Sequence, residues 1–215
     1  MTMPSPARGW RGKRFPGQDS ASHLAHKVLG QVYPLSREEY KLQSMPRRAS
    51  YAYLSEIVET GGRLTLDLLE QFGESPDQTY LKRLRRTVDL GILPSQFAEL
   101  LIRLTTLRNK TVHENPAINQ ELRVYSQLPS MVVVAFALAE IDRAVRRSLN
   151  PSHSQQARDC VSVVVDREYL RREFVRGGPP ADPFTTAMLA KLATDAIPSI
   201  TLNPDEIIAR ATGAT

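Results

Sequence analysis

The chain has 215 residues, with 28 Lys and Arg against 23 Asp and Glu and a formal net charge of +5. That length suffices for one well-buried core and is short for two enzyme domains. The single cysteine, Cys160, excludes an internal disulfide framework and any cysteine-based zinc site. The longest nearly apolar run, Met131 to Ala139, falls far short of the roughly 20 residues needed to cross a bilayer. No apolar stretch follows Arg8, Arg11, Lys13 and Arg14, so no secretory signal is expected and the chain reads as soluble and cytoplasmic, with no membrane partner.

The charge is unevenly spread: residues 1–48 carry +6, residues 49–150 are balanced, and residues 151–215 carry −1. Residues 1–48 are expected to form a mostly flexible basic arm. The first 20 are rich in Pro, Gly and Arg and lack the apolar density that offsets the entropy of ordering. Trp10 and Phe15 interleave with Arg11, Lys13 and Arg14, a mixture that stacks on bases and neutralises phosphates, or that simply aids solubility. One short helix is expected around His23–Val32, and Met45-Pro46-Arg47-Arg48 then punctuates the chain.

From Ala49 helical spacing takes over. Tyr51, Leu54, Ile57 and Val58 recur on one face, and Leu64, Leu68 and Leu69 resume beyond Gly61-Gly62, giving one long helix weakened at the glycine pair or two shorter ones. Asp77 is a candidate cap for a second helix, with Leu81, Leu84 and Val88 inside, Lys82, Arg83, Arg85 and Arg86 outside, and Gly91 as terminator. A third begins near Pro94-Ser95 and carries an apolar stripe through Phe97, Leu100, Leu101, Leu104, Leu107 and Val112 until Asn115-Pro116 stops it. A fourth runs from about Pro129 to Leu149, ending in Arg143, Arg146 and Arg147, which complement the helix dipole. Four such helices joined by short loops predict a bundle over residues 49–150. A polar linker at 150–157 leads to an accessory segment, 151–215 in all, expected to pack on the bundle or on a partner, with a strand near Cys160–Val165. Short helices are expected at Glu168–Val175, Pro183–Ala196 and Pro204–Arg210, the last capped by Asn203.

The third helix closes on Arg108-Asn109-Lys110-Thr111-Val112-His113. Polar groups at the end of an apolar helix also fit a plain solvated last turn, since cations favour that end. The segment from about Tyr80 to Leu149, however, resembles a HEPN domain, a family of nucleotide-binding four-helix bundles. The resemblance is carried by that Arg, polar residue, three variable residues, His pattern and by the run Gly91 to Leu101 with Leu104 and Leu107 leading into it. It covers about a third of the chain, or half if the helix at 49–72 is the bundle's first.

The resemblance implies a mainly all-α, HEPN-like four-helix bundle and a metal-independent endoribonuclease without cofactor. It implies a homodimer in which both motifs face one RNA cleft, acting as a toxin or in phage defence or RNA processing, with an antitoxin or other protein as a further partner. His113 would be the catalytic histidine, Arg108 the phosphate-facing cation and Asn109 the residue that orients them; Lys110, Arg85 and Arg86 are candidates for holding the RNA backbone. The residue types suit the reaction. Histidine titrates near neutrality and so gives or takes the 2′-OH and leaving-group protons, and arginine presents a charged fork matched to phosphate oxygens. Arg108 and His113 lie five residues apart, about 140° around an ideal helix, so a second protomer or a distorted last turn is needed to bring both to one phosphate. The alternative is a non-catalytic HEPN-like module that binds nucleic acid or a protein partner. His23 and His26, three apart without an evident carboxylate or thiol beside them, do not make a zinc site, and Asp182, Asp195 and Asp205-Glu206 read as caps and solvated faces.

Overall fold

The block Met131–Ala139 has no polar face to turn toward water, so its helix has to be covered on every side. A computed structural model describes residues 20–74, 79–113, 118–149, 162–176 and 183–213. These form α1 (Ser20–Lys27), continued by a π-helical turn (Val28–Val32), then α2 (Arg37–Leu42), α3 (Ser44–Phe72), α4 (Tyr80–Asp89), α5 (Ser95–His113), α6 (Ile118–Ser126) and α7 (Leu128–Leu149). There follow β1 (Val163–Val165), α8 (Arg167–Arg176), α9 (Pro183–Thr194), β2 (Ile200–Leu202) and α10 (Pro204–Thr212). Among the described residues the fold is all-α apart from β1 and β2, which pair antiparallel with Val164 opposite Thr201. Met131 to Ala139 are all buried, because α7 is the central shaft of the molecule, packed by α1, α3, α5 and α10.

That arrangement corrects one expectation about domain boundaries. Residues 20–48 are helical and belong to the core: Leu24, Ala25, Val28, Leu29, Val32, Tyr33 and Tyr40 are buried in the same cluster as α7. The basic arm therefore does not extend to residue 48; residues 1–19 lie outside the described residues. The sequence hid this because the apolar stripe of α1 is short and flanked by charge, while the surface it covers, α7, is distant in the chain. The C-terminal segment is equally integral. Ile207, Ile208 and Ala211 of α10 are buried, and α10 packs on both α3 and α7.

Local chemistry explains the element ends. Ser36 and Glu39 form a reciprocal capping box at α2. Asn203 accepts from the Glu206 amide, with Pro204 at the first helical position of α10, as expected. Gly91 terminates α4 in the left-handed region at φ 66°, whereas the start of α4 falls at Tyr80; Asp77 lies outside the described residues. Gly61 and Gly62 do not interrupt α3. The Thr65 hydroxyl donates to both their carbonyls, at 3.0 and 2.9 Å, and the missing side chains admit a neighbour: a Cβ on Gly61 would stand 2.6 Å from Leu101 of α5. Of the expected strand, Val163–Val165 form β1 and Ser162 stands outside it, while Cys160 and Val161 lie outside the described residues. Helices α2 and α6 and strand β2 are additions to the predicted elements, and Met45-Pro46-Arg47-Arg48 does not break the chain, because α3 already begins at Ser44.

A polar cluster ties the two ends of the chain together. Lys191 of α9 donates to Tyr125 Oη and pairs with Asp195, both at 3.1 Å, and Tyr33 Oη donates to Asp195 at 3.0 Å. The ammonium also lies over the rings of Tyr33 and Tyr125, at 5.2 and 4.9 Å. Burial opposes the Lys191 charge, but Tyr125 and Asp195 outweigh it and hold its pKa above the ordinary lysine value.

Candidate functional site

Three helices meet around a cleft of about 520 Å³. From α3 come Val58, Glu59, Gly62, Arg63 and Leu66, from α4 Tyr80 and Arg83, and from α5 Thr105, Arg108 and Asn109. The glycine pair shapes it: a Cβ on Gly62 would meet the Tyr80 ring at 3.3 Å, so the bare backbone lets the tyrosine lie against α3 and floor the cleft. Burial pushes the Tyr80 phenol up to about 12, against the pull of Thr105 and Arg83, so the ring stays neutral at physiological pH. Three guanidiniums and one carboxylate line the walls, in a region whose overall charge is balanced.

Arg108 makes two long polar contacts. Its Nη2 lies 3.8 Å from Glu59 Oε1, a long ion pair, and its Nη1 donates to Asn109 Oδ1 at 3.4 Å. Its Nε is buried without a hydrogen-bond partner. A buried donor left unmet carries a cost of roughly 1–3 kcal/mol. Glu59 is exposed, so the carboxylate closest to the Arg108 fork is held only loosely.

The expected site residues divide. Arg108 and Asn109 are on the cleft wall. His113 ends α5, which stays α-helical up to that residue, so its Cα sits about 7.5 Å farther along the axis and about 140° around from that of Arg108. The His113 side chain lies outside the described residues. Lys110 and Arg85 are exposed and stand off the cleft, and Arg86 is tied to Glu74 at 2.6 Å. His26 packs edge-on against Phe136, with Glu173 3.9 Å away. Among the described residues no group of three His, Cys, Asp or Glu gathers as a metal-ligand set, and no helix is long and apolar enough to cross a membrane.

Sequence reasoning missed Glu59, Arg63 and Tyr80 as neighbours of the motif. The signal was the glycine pair itself. Two adjacent glycines inside an otherwise regular helix mark where other elements approach the backbone closely. No family model matches this sequence, and no curated protein or solved structure matches it either.

Proposed function

We propose that this chain is a HEPN-type, metal-independent endoribonuclease that acts as a homodimer on RNA. The observation that carries the reading is the position of Arg108 and Asn109, the first two motif residues, on a cleft that also receives Arg63 and Arg83 from two other helices. Arg108 binds the scissile phosphate and stabilises the charge that develops on it. His113 moves the proton between the 2′-hydroxyl and the leaving 5′-oxygen. Because α5 remains a regular helix, the Cα positions of the two residues lie about 140° apart around its axis, so the reading requires the His113 of a second protomer to complete each site. Any toxin, phage-defence or antitoxin relationship follows from the same resemblance.

The test is cleavage of a labelled single-stranded RNA by the purified full chain in EDTA. Wild type cuts, and His113→Ala and Arg108→Ala each slow cleavage by about 10²–10⁴-fold, the usual worth of a proton-transfer group. Cleavage unchanged in His113→Ala sinks the assignment. One feature favours the rival, a non-catalytic nucleic-acid-binding module: Glu59 already stands beside the Arg108 fork. That rival predicts RNA binding that survives His113→Ala, with no cleavage by wild type.

A further inference from the structure

We infer that the α3–α4–α5 cleft takes the RNA base beside the scissile phosphate and reads it as guanine, with Glu59 and Asn109 as the specificity-determining residues. The inference rests on the ribonuclease reading and deepens it by naming the base at the cut, and its test is separable from cleavage.

The lining suits a base. Val58, Leu66 and the Tyr80 ring supply apolar surface of the kind against which an unstacked base packs. At about 520 Å³ the cleft accommodates one nucleoside. The polar groups gather about one guanidinium. Glu59 Oε1 stands 3.8 Å from Arg108 Nη2, and Asn109 Oδ1 accepts from Arg108 Nη1 at 3.4 Å. A carboxylate and a carboxamide therefore flank the fork assigned to the phosphate, within reach of the base carried by the adjoining nucleotide. The Glu59 contact is too long for a hydrogen bond, so the carboxylate keeps its capacity to accept. A phosphate in the Arg108 fork takes over that charge pairing and releases Glu59 for the base. Asn109 gives its oxygen to Arg108, and the amide end that remains is a donor.

Two neighbouring acceptors and a donor complement guanine. Of the four RNA bases guanine alone carries two adjacent N–H donors on its pairing edge, N1–H and the N2 amine, with the O6 acceptor beside them. Adenine and cytosine present one donor next to a ring-nitrogen acceptor, which would face a carboxylate oxygen unpaired, and uracil presents one donor between two carbonyls. Arg63 and Arg83 do not discriminate in this way. Arg63 also acts on the Asp67 carboxyl of its own helix, and a guanidinium only donates, so it meets acceptors that every base carries.

The experiment measures binding of short oligouridylates that differ in one central base: guanine, adenine, cytosine, uracil, or hypoxanthine (inosine), which keeps O6 and N1–H but lacks the N2 amine. The full-length His113→Ala chain is used, so that cutting does not interfere. The guanine strand binds roughly tenfold or more tighter than the adenine, cytosine and uracil strands, the worth of a good bidentate contact to a base edge. The inosine strand binds several-fold weaker than the guanine strand. Glu59→Gln, at an exposed position where the fold is not at stake, brings all five strands to similar affinity. Glu168→Gln, which removes an exposed carboxylate from α8, leaves the preference intact. Equal binding of the five strands, guanine and inosine bound alike, or a preference that survives Glu59→Gln overturns the inference. The two readings fall separately. Wild type that cuts RNA without regard to the base removes the guanine pocket and leaves the ribonuclease standing. Strands ranked as above with wild type inert remove the ribonuclease and leave guanine recognition to a binding module.

Discussion

Single side chains on α3 carry consequences beyond the cleft. Asp67 lies one turn past Arg63, and burial, reinforced by Glu70, pushes its carboxyl up to about 6 despite the opposing pull of Arg63. A carboxyl whose folded pKa exceeds its unfolded one holds more protons folded than unfolded between about pH 4 and pH 6, so stability falls as pH rises through that window. Asp67→Asn removes the titration. Its melting temperature should match wild type near pH 4 and exceed it at pH 7, by the equivalent of about 1 kcal/mol once solvent screening of a half-exposed group is allowed for. A constant difference across that range would show that Asp67 does not carry this proton. The cleft itself was half legible at this scale. Arg108 and Asn109 stood out because a motif names them in sequence order, whereas Glu59 and Arg63 look like ordinary solvent-facing positions of α3 and become neighbours of Arg108 only through helix packing.

Among the helices, the sequence reads best where one element supplies its own evidence. The stripe of α5 and the all-round apolar block of α7 predict their helices within a residue or two of the observed starts, because burial there follows from periodicity alone. The position of α1 is legible too, but its partner is not, because one short amphipathic stripe does not say which distant surface it covers. The glycine pair leaves one helix or two open, and the packing decides for one. The Leu101 side chain occupies the place of the Gly61 Cβ, so α3 and α5 approach more closely there than alanine would allow. Leu101 is itself fully buried and has little room to retreat. Gly61→Val should therefore lower unfolding free energy by about 1–3 kcal/mol, the cost of forcing extra methyl groups into a packed interface. Gly30, where an added methyl would meet nothing within 4 Å and φ is not positive, is the matched control. Gly30→Ala should raise stability by about 0.5–1 kcal/mol in the same denaturant titration, because it removes only backbone entropy from the unfolded chain. An unaffected Gly61→Val would mean that close approach does not govern that position, and a destabilised Gly30→Ala would mean that Gly30 lacks room for the added methyl group.

At the scale of the whole chain, charge and stability divide differently from the way charge alone implied. The +6 of residues 1–48 divides: Arg8, Arg11, Lys13 and Arg14 precede the described residues, while Lys27, Arg37, Lys41, Arg47 and Arg48 sit on helices α1, α2 and α3, of which α1 and α3 pack on α7 and α2 packs on α3 and α6. Two deletions separate the roles. Removing residues 1–19 takes four cations and no described core residue, so the melting temperature should stay within a few degrees of wild type. The salt dependence of RNA binding should flatten, by about 0.7 in log–log slope for each single-strand phosphate that is no longer neutralised. Removing residues 1–48 also takes Leu24, Val28, Leu29, Val32, Tyr33 and Tyr40 out of the core. At about 1.5–3 kcal/mol for each large side chain, that loss is comparable to or exceeds the roughly 5–15 kcal/mol by which a domain is stable, and it bares one side of α7. This longer deletion should fail to give a cooperative thermal transition. A shortened chain that still melted cooperatively would show that α3 to α10 enclose α7 without help from α1, and that the helices before residue 49 are appended to the core instead of completing it.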